Sequence, residues 1–567
     1  MNRTIVVLLL IAYGSLGFGQ SDKSYKIPEE LLSRKEIYVE FAIDKTKEAK
    51  PALDALNRII SISDFNPVTN MVKAYVSINN YKEFIDSQHV FKILTPPSML
   101  LGRSDLDKNE RKNTNDWDYY PNYQQYLDMM QQFETDYPDL CELVNIGQTN
   151  EGRDILFIHI SDKLGRDLAE PEFMFTSSMH GDEIAGYVLM LRFIDYLLSN
   201  YGTLGEITNL VDNVDIWINP LANPDGTFAG GDNSVFGATR FNSNGVDLNR
   251  NYSDPEDGPH PDGNPYQVET ELFMDFASDH DFVMSANFHG GSEVVNYPWD
   301  TWAKLAADNN WWEMVSREYA DTVHLYNANY MTDLDNGVTN GYQWYTISGG
   351  RQDYMNYFQH CREVTIELST TKLPPGNQLP SFWIYNYRSL INYMEEVLNG
   401  LKGVVTNASN GNTVKAKVFA DSHDIDESFV YSRASDGNYN RLLKEGTYSI
   451  TFSALGYYDK TFPAVQISDF QSTILDVQLD PLVSVGETNN ITAKIYPNPT
   501  TDVVNVSFPI KDVYHLSLID NRGKTLLSKT VDEQNYKMNL AGFSAGKYII
   551  SIKNSKGESF VVHLVVN

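Results

Sequence analysis

The stretch Phe173-Met-Phe-Thr-Ser-Ser-Met-His180-Gly-Asp-Glu183 decides how this chain is read. Its apolar run predicts a buried strand, so His180 and Glu183 fall just past the strand end. Three residues apart in a turn or first helical turn, they share one side and can hold one ion. Zinc accepts imidazole nitrogen and carboxylate oxygen, and a catalytic zinc needs a third protein ligand and one open position. Alone the pattern is weak, because His-x-x-Glu arises by chance in many long chains. Its weight comes from the residues around it.

From Tyr119 to about Gly400, strand-like and helix-like segments alternate. Residues 123–137 and 184–200 carry amphipathic helix periodicity, and apolar strands close at His180, Pro220, His289 and near Leu368. This predicts an α/β domain at 118–400: a mixed, largely buried sheet with helices on both faces and ligand sites at strand ends.

Val283-Met-Ser-Ala-Asn-Phe-His289-Gly-Gly ends another such strand. A lone strand-end histidine is more often hydrogen-bonded structure than a ligand. With His180 and Glu183, though, His289 completes a His₂Glu set with one open position. In Glu363-Val-Thr-Ile-Glu367-Leu, alternation puts Val364 and Ile366 on one face and Thr365 and Glu367 on the other. A carboxylate late in a central strand is either salt-bridged or used, and beside a metal it suits a general base. Arg240 and the Asn249-Arg250 pair lie in a Gly/Asn-rich loop. Arginine forks bind carboxylates bidentately and stabilise oxyanions, although a single loop arginine is usually just surface.

The set His180-x-x-Glu183, Asn223-Pro-Asp-Gly, Gly245-Val-Asp-Leu-Asn249-Arg250-Asn-Tyr, His289-Gly-Gly, Gly341-Tyr-Gln-Trp-Tyr345 and Glu363-Val-Thr-Ile-Glu367-Leu closely resembles the zinc metallocarboxypeptidases, in their carboxypeptidase N/E/D-like branch. The resemblance spans about 119–400 in chain order. It implies one zinc ion held by His180, Glu183 and His289, with Glu367 as general base and acid. It further implies that Arg240 polarises the scissile carbonyl, that Asn249 and Arg250 clamp the substrate's terminal carboxylate, and that Tyr345 closes over it. In the basic-specific relatives a pocket carboxylate and a glutamine stand where this chain has Asp300 and Gln352. That implies preference for C-terminal Lys or Arg. Arg351 departs from the family, which usually has methionine there; turned into the pocket, it would repel basic substrates.

The flanks read as separate pieces. Residues 1–19, with Arg3 before an apolar stretch, predict a secretory signal. Residues 20–103 predict a small α+β prosegment-like domain, and 104–117 a charged linker. Short strands between Asn/Gly/Ser turns predict an all-β sandwich at 401–482, similar to the transthyretin-like domain of that branch. After a linker at 483–491, the all-β piece 492–567 resembles the C-terminal sorting domain of the type IX secretion route. It implies outer-membrane export, with the secretion machinery as partner and a secreted or surface-attached product. No other segment has the length and apolarity of a transmembrane helix.

Lys and Arg number 44 against 75 Asp and Glu, a net charge of −31, which argues against nucleic-acid binding. Two cysteines leave one bridge or two free thiols. The expected function is removal of one residue from peptide or protein C-termini. An amidase or deacylase on the same metal site and a catalytically dead peptide-binding module are the alternatives.

Overall fold

The computed structural model describes residues 27–46, 48–106, 116–165, 170–482, 493–520 and 523–567. The signal segment 1–19, most of the linker 104–117 and the linker 483–491 lie outside them. Residues 27–455 and 459–479 form one compact unit, and 480–567 with 456–458 a second.

The first unit begins with a four-stranded antiparallel sheet in the order Ser61–Asn66, Met71–Ser77, Glu36–Ala42, Phe91–Leu94, with helices Ala49–Asn57 and Tyr81–Asp86. Alternation sorts Glu36–Ala42 into two faces: Ile37, Val39 and Phe41 join Val72, Val76 and Phe84 in the unit's own core. Glu36 and Tyr38 point the other way. Tyr38 stands opposite Tyr75, and both pack on Phe241.

An eight-stranded mixed sheet follows, in the order Val338–Asn340, Glu293–Tyr297, Arg362–Leu368, Phe282–His289, Glu172–Ser177, Asp215–Asn219, Asp154–Ile160, Cys141–Gln148. Its four middle strands, Arg362–Leu368 to Asp215–Asn219, run parallel. Nearly every residue of these strands is buried, as expected for a sheet covered on both faces. Phe175, Ile218, Phe288 and Ile366 face helices Ala185–Asn200 and Leu379–Glu395, while Met174 and Trp217 face Val268–Asp279. Because the middle strands are parallel, their C-terminal ends open together at one sheet edge, which is where a site forms.

Two four-stranded sheets, built on Gly400–Asn407 and on Gly446–Ser453, make the sandwich that completes this unit. The second unit carries a three-stranded and a four-stranded sheet, with Val504, Val506, Leu516, Leu518, Ile550 and Ile552 alternating inward. Cys141 and Cys361 are both buried and free, which decides against a bridge between them. Among the described residues no helix is long and apolar enough to cross a membrane.

Candidate active site

His180 and Glu183 sit in the turn after strand Glu172–Ser177, where Ser178 adopts a positive φ of 62°. Gly181 permits that turn. A Cβ there would come within 2.3 Å of the Gly226 backbone, so no other residue fits without moving it. His289 ends strand Phe282–His289 and is the direct register partner of Glu367 on Arg362–Leu368. Strand pairing thus sets Glu367 beside a ligand candidate 78 residues earlier in the chain.

Three donor atoms converge. His180 Nδ1 lies 2.8 Å from Glu183 Oε2, His289 Nδ1 lies 2.9 Å from the same oxygen, and the two imidazole nitrogens are 3.0 Å apart. His180 Nε2 donates to Asp247 Oδ1 at 3.0 Å, which leaves the Nδ1 lone pair free for a cation. Burial and His180 push the His289 imidazole down to about 4, so it is neutral and able to donate its lone pair. Burial works to raise Glu183, but His180, Lys372 and Arg240 hold it well below the ordinary carboxylate range. Two imidazoles and a carboxylate in reach of one another fit a single zinc ion.

Glu367 is buried, and its Oε2 has no hydrogen-bond partner among the described residues. Burial, reinforced by Glu183, pushes its carboxyl up to about 8. Arg240 Nη1 donates to Glu183 Oε1 at 2.8 Å and its Nε to Asp247 Oδ2 at 3.1 Å. Arg250 donates Nη1 to the Asn249 carbonyl at 2.8 Å, while its Nε has no partner among the described residues. Tyr345 follows the short helix Gly341–Trp344 and lines the same cavity of about 1190 Å³ as His180, Arg240, Arg250, Asp300 and Glu367.

Asp300 is buried beside that cavity and accepts from Asn296 Nδ2 at 2.9 Å and Gln352 Nε2 at 3.1 Å. Gly341 makes room for it, since a Cβ there would fall 1.7 Å from Asp300 Oδ1. Arg351 does not reach Asp300. Its guanidinium pairs with Glu363 at 3.1 Å, bonds Thr176 Oγ1 and packs over Phe273.

Sequence reasoning missed Lys372, whose Nζ bonds Glu183 Oε1 and the Gly290 carbonyl. It also missed Asp247 as the partner of His180, although Asp247 lies inside the quoted Gly245–Asn249 stretch. A second cluster of metal-binding residue types, Asp308, His423 and Asp424, involves the sandwich, where none was expected. Arg362 and Arg441 neutralise it.

A zinc carboxypeptidase model matches residues 126–389, a carboxypeptidase regulatory-like domain model 400–480, and a secretion system C-terminal sorting domain model 494–567. The last marks the chain for export to the cell surface or the medium. Carboxypeptidase D of Mus musculus is 38% identical over 358 residues, which cover 60% of this chain and 25% of that protein. The chain thus spans about a quarter of that relative's length. The carboxypeptidase N catalytic chain of Mus musculus is 33% identical over 380 residues, covering 60% of this chain and 82% of that one. Among solved structures, the carboxypeptidase A from Helicoverpa armigera has the same fold, with a TM-score of 0.50 at 19% identity over 64% of this chain and 97% of that chain. On this similarity, and with its three donors at the parallel strand ends, the chain belongs to the zinc carboxypeptidase family.

Proposed function

We propose that this protein is an exported zinc-dependent carboxypeptidase that hydrolyses the last peptide bond of peptides and proteins, preferring C-terminal Lys or Arg. The observation that carries the reading is the convergence of His180 Nδ1, Glu183 Oε2 and His289 Nδ1 within 3.0 Å of one another, with Glu367 paired beside His289. These three residues would hold zinc, which when bound supplies Lewis acidity for water and the scissile carbonyl.

The remaining work falls to side chains of this chain. Ionised beside a bound cation, Glu367 with its open Oε2 takes a proton from the attacking water and returns it to the leaving amine. Arg240 brings a permanent cation to the edge of the pocket, where negative charge develops on the carbonyl oxygen. Arg250 and Asn249 bind the terminal carboxylate, and Tyr345 covers it. An internal peptide bond lacks the charge that satisfies Arg250, so the clamp makes the enzyme an exopeptidase.

Asp300 supports the side-chain preference. Two neutral amides hold it, and no cation pairs with it among the described residues. A Lys or Arg side chain supplies the missing charge, whereas an apolar one leaves a buried carboxylate unpaired. Arg351 is committed to Glu363, so it does not neutralise Asp300. The zinc-loaded protein is tested on blocked dipeptides ending in Arg, Lys, Phe or Glu, each as free acid and amide. Cleavage of free acids ending in Arg and Lys is expected. Equal turnover of the amides would point to an amidase, and Phe or Glu leading the series would remove Asp300 from the role.

A further inference from the structure

Strand Phe282–His289 carries a polar row through the middle of a sheet that is covered on both faces. Ala286 and Phe288 join the apolar core, while alternation puts Ser285, Asn287 and His289 on the other face. The row spreads sideways through the register. Asn287 stands between Thr176 of Glu172–Ser177 and Thr365 of Arg362–Leu368, and Ser285 stands beside Glu363. All of these side chains are buried, where a polar group is costly unless it is satisfied.

Hydrogen bonds run along the row and end at His289. Glu363 Oε2 accepts from Ser285 Oγ at 2.7 Å and from Arg351 Nη2 at 3.1 Å. Arg351 Nη1 donates to Thr176 Oγ1. The Asn287 amide lies 3.4 Å from that hydroxyl at one end and 2.9 Å from His289 Nε2 at the other. Arg351, where the chain departs from its relatives, thus closes the far end of a row whose near end is a metal-ligand candidate.

The way Asn287 is turned and the nitrogen of His289 that carries the proton are one choice. An amide accepts at its oxygen and donates at its NH₂, and a neutral imidazole has one N–H and one lone pair. With the NH₂ toward Nε2, that nitrogen must accept, and the proton sits on Nδ1 and closes it to a cation. With Oδ1 toward Nε2, the proton sits on Nε2. The Nδ1 lone pair is then free beside Glu183 Oε2 and His180 Nδ1, 2.9 and 3.0 Å away. In this second arrangement the NH₂ meets Thr176 Oγ1, whose two lone pairs take Asn287 and Arg351 together. His180 faces no such choice, because the Asp247 carboxylate on its Nε2 only accepts.

We propose that Asn287 is a positioning residue for the metal centre: with Oδ1 turned to His289 Nε2 and its NH₂ held by Thr176, it presents His289 Nδ1 to zinc. The role rests on the zinc-site reading above and is read by metal binding, not turnover. In the full chain, N287L removes both ends of the amide at similar size. Its zinc affinity, measured by competition with a chelating dye, should fall roughly 10–100-fold, the usual cost of losing such an outer partner. N287D offers an accepting oxygen at either end, as Asp247 does for His180, and should bind zinc at least as tightly as the parent. A zinc Kd in N287L equal to the parent's overturns the role. N287D binding more weakly than the parent also overturns it, since His289 would then need the donor end; this arm decides even where N287L does not fold. A parent that takes up no zinc overturns the ligand set and this role together, whereas a zinc-binding parent with an unaffected N287L overturns the role alone.

Discussion

Two clusters of carboxylates and histidines in the first unit do opposite things. Around Asp308, every carboxylate lone pair finds a cation or imidazole of the chain: Oδ1 takes His423 and Arg441 Nη2, and Oδ2 takes Arg362 at 2.8 Å and Arg441 Nη1 at 2.9 Å. Around Glu183, acceptors instead crowd together, with two imidazole lone pairs and a carboxylate oxygen within 3.0 Å and Glu367 Oε2 left open. The first arrangement fastens Asp308 and strand Arg362–Leu368 to the sandwich and has no room for an ion. The second is short of positive charge at one point in space. A cluster becomes a site when the fold leaves such a deficit unfilled.

The largest expected effect separates base from ligand. Glu367→Gln keeps shape but cannot accept a proton, so kcat should fall by ~10²–10⁴-fold with zinc retained. His289→Ala should lose zinc and activity together, since two ligands hold the ion poorly. Metal analysis and turnover of both variants check this, with one zinc per chain expected in the parent. Asp308→Ala should leave zinc content unchanged, and a fall in its zinc content would erase the contrast between the clusters.

That same substitution tests the fastening. It leaves buried Arg362 without its charged partner and Arg441 with Asp424 alone, at a cost of about 3–5 kcal/mol. The cost should appear as a large drop in the thermal midpoint. Burial works to raise Asp308, but Arg441 and Arg362 hold it below the ordinary carboxylate range. The folded form therefore binds its proton less tightly than the unfolded chain. Its contribution is present above about pH 4, the unfolded value, and is lost as pH falls through the lower folded value. Thermal midpoints between pH 3 and 6 should fall with acid in the parent and flatten in Asp308→Asn. Parallel curves would mean that another carboxylate sets acid stability.

Much of the reacting centre was legible because its cues are local. A strand end, a three-residue spacing and a period-two face marked His180, Glu183, His289 and Glu367 as candidates, and the family resemblance joined them into one set. Arg351 was half legible: its charge was visible, while its direction needed Glu363. The alternation that marked Glu367 also puts Glu363 on that face, which was the available cue. Lys372 gave no such cue. It reaches the site through long-range packing, more than 100 residues away from Glu183, and no periodicity encodes that. The Asp308 fastening was hidden for the same reason.

Arg250 tests the deficit on the substrate side. Its Nε has no partner among the described residues, so a terminal carboxylate has a free donor to meet. Arg250→Ala should cost about 1.5–3 kcal/mol in kcat/KM on free-acid peptides, the range for a charge-assisted pair, with little change on amides. An equal loss on both substrate forms would assign Arg250 to structure and not to recognition.

The smallest effect concerns Asp300, which lies between the two clusters in character. Like Asp308 it is buried, but Asn296 and Gln352 give it hydrogen bonds without charge. Burial pushes its carboxyl up to about 6, eased by Asn296 and Arg250 and reinforced by Asp254 and Glu363. Only the ionised form pairs with Lys or Arg, and the protonated form treats basic and apolar side chains more alike. Selectivity, read as kcat/KM for Arg over Phe on otherwise identical substrates, should therefore grow as pH rises through about 6. The gain is bounded by one charge-assisted contact, ~1.5–3 kcal/mol. Taking the ratio between two substrates cancels every ionisation that acts on both alike, Glu367 included, and leaves the pocket. Asp300→Asn should give a low ratio that no longer changes with pH. A parent ratio equally flat from pH 5 to 8 would mean that Asp300 holds its charge throughout, balanced by Arg250, and that the chain supplies the cation here as it does for Asp308.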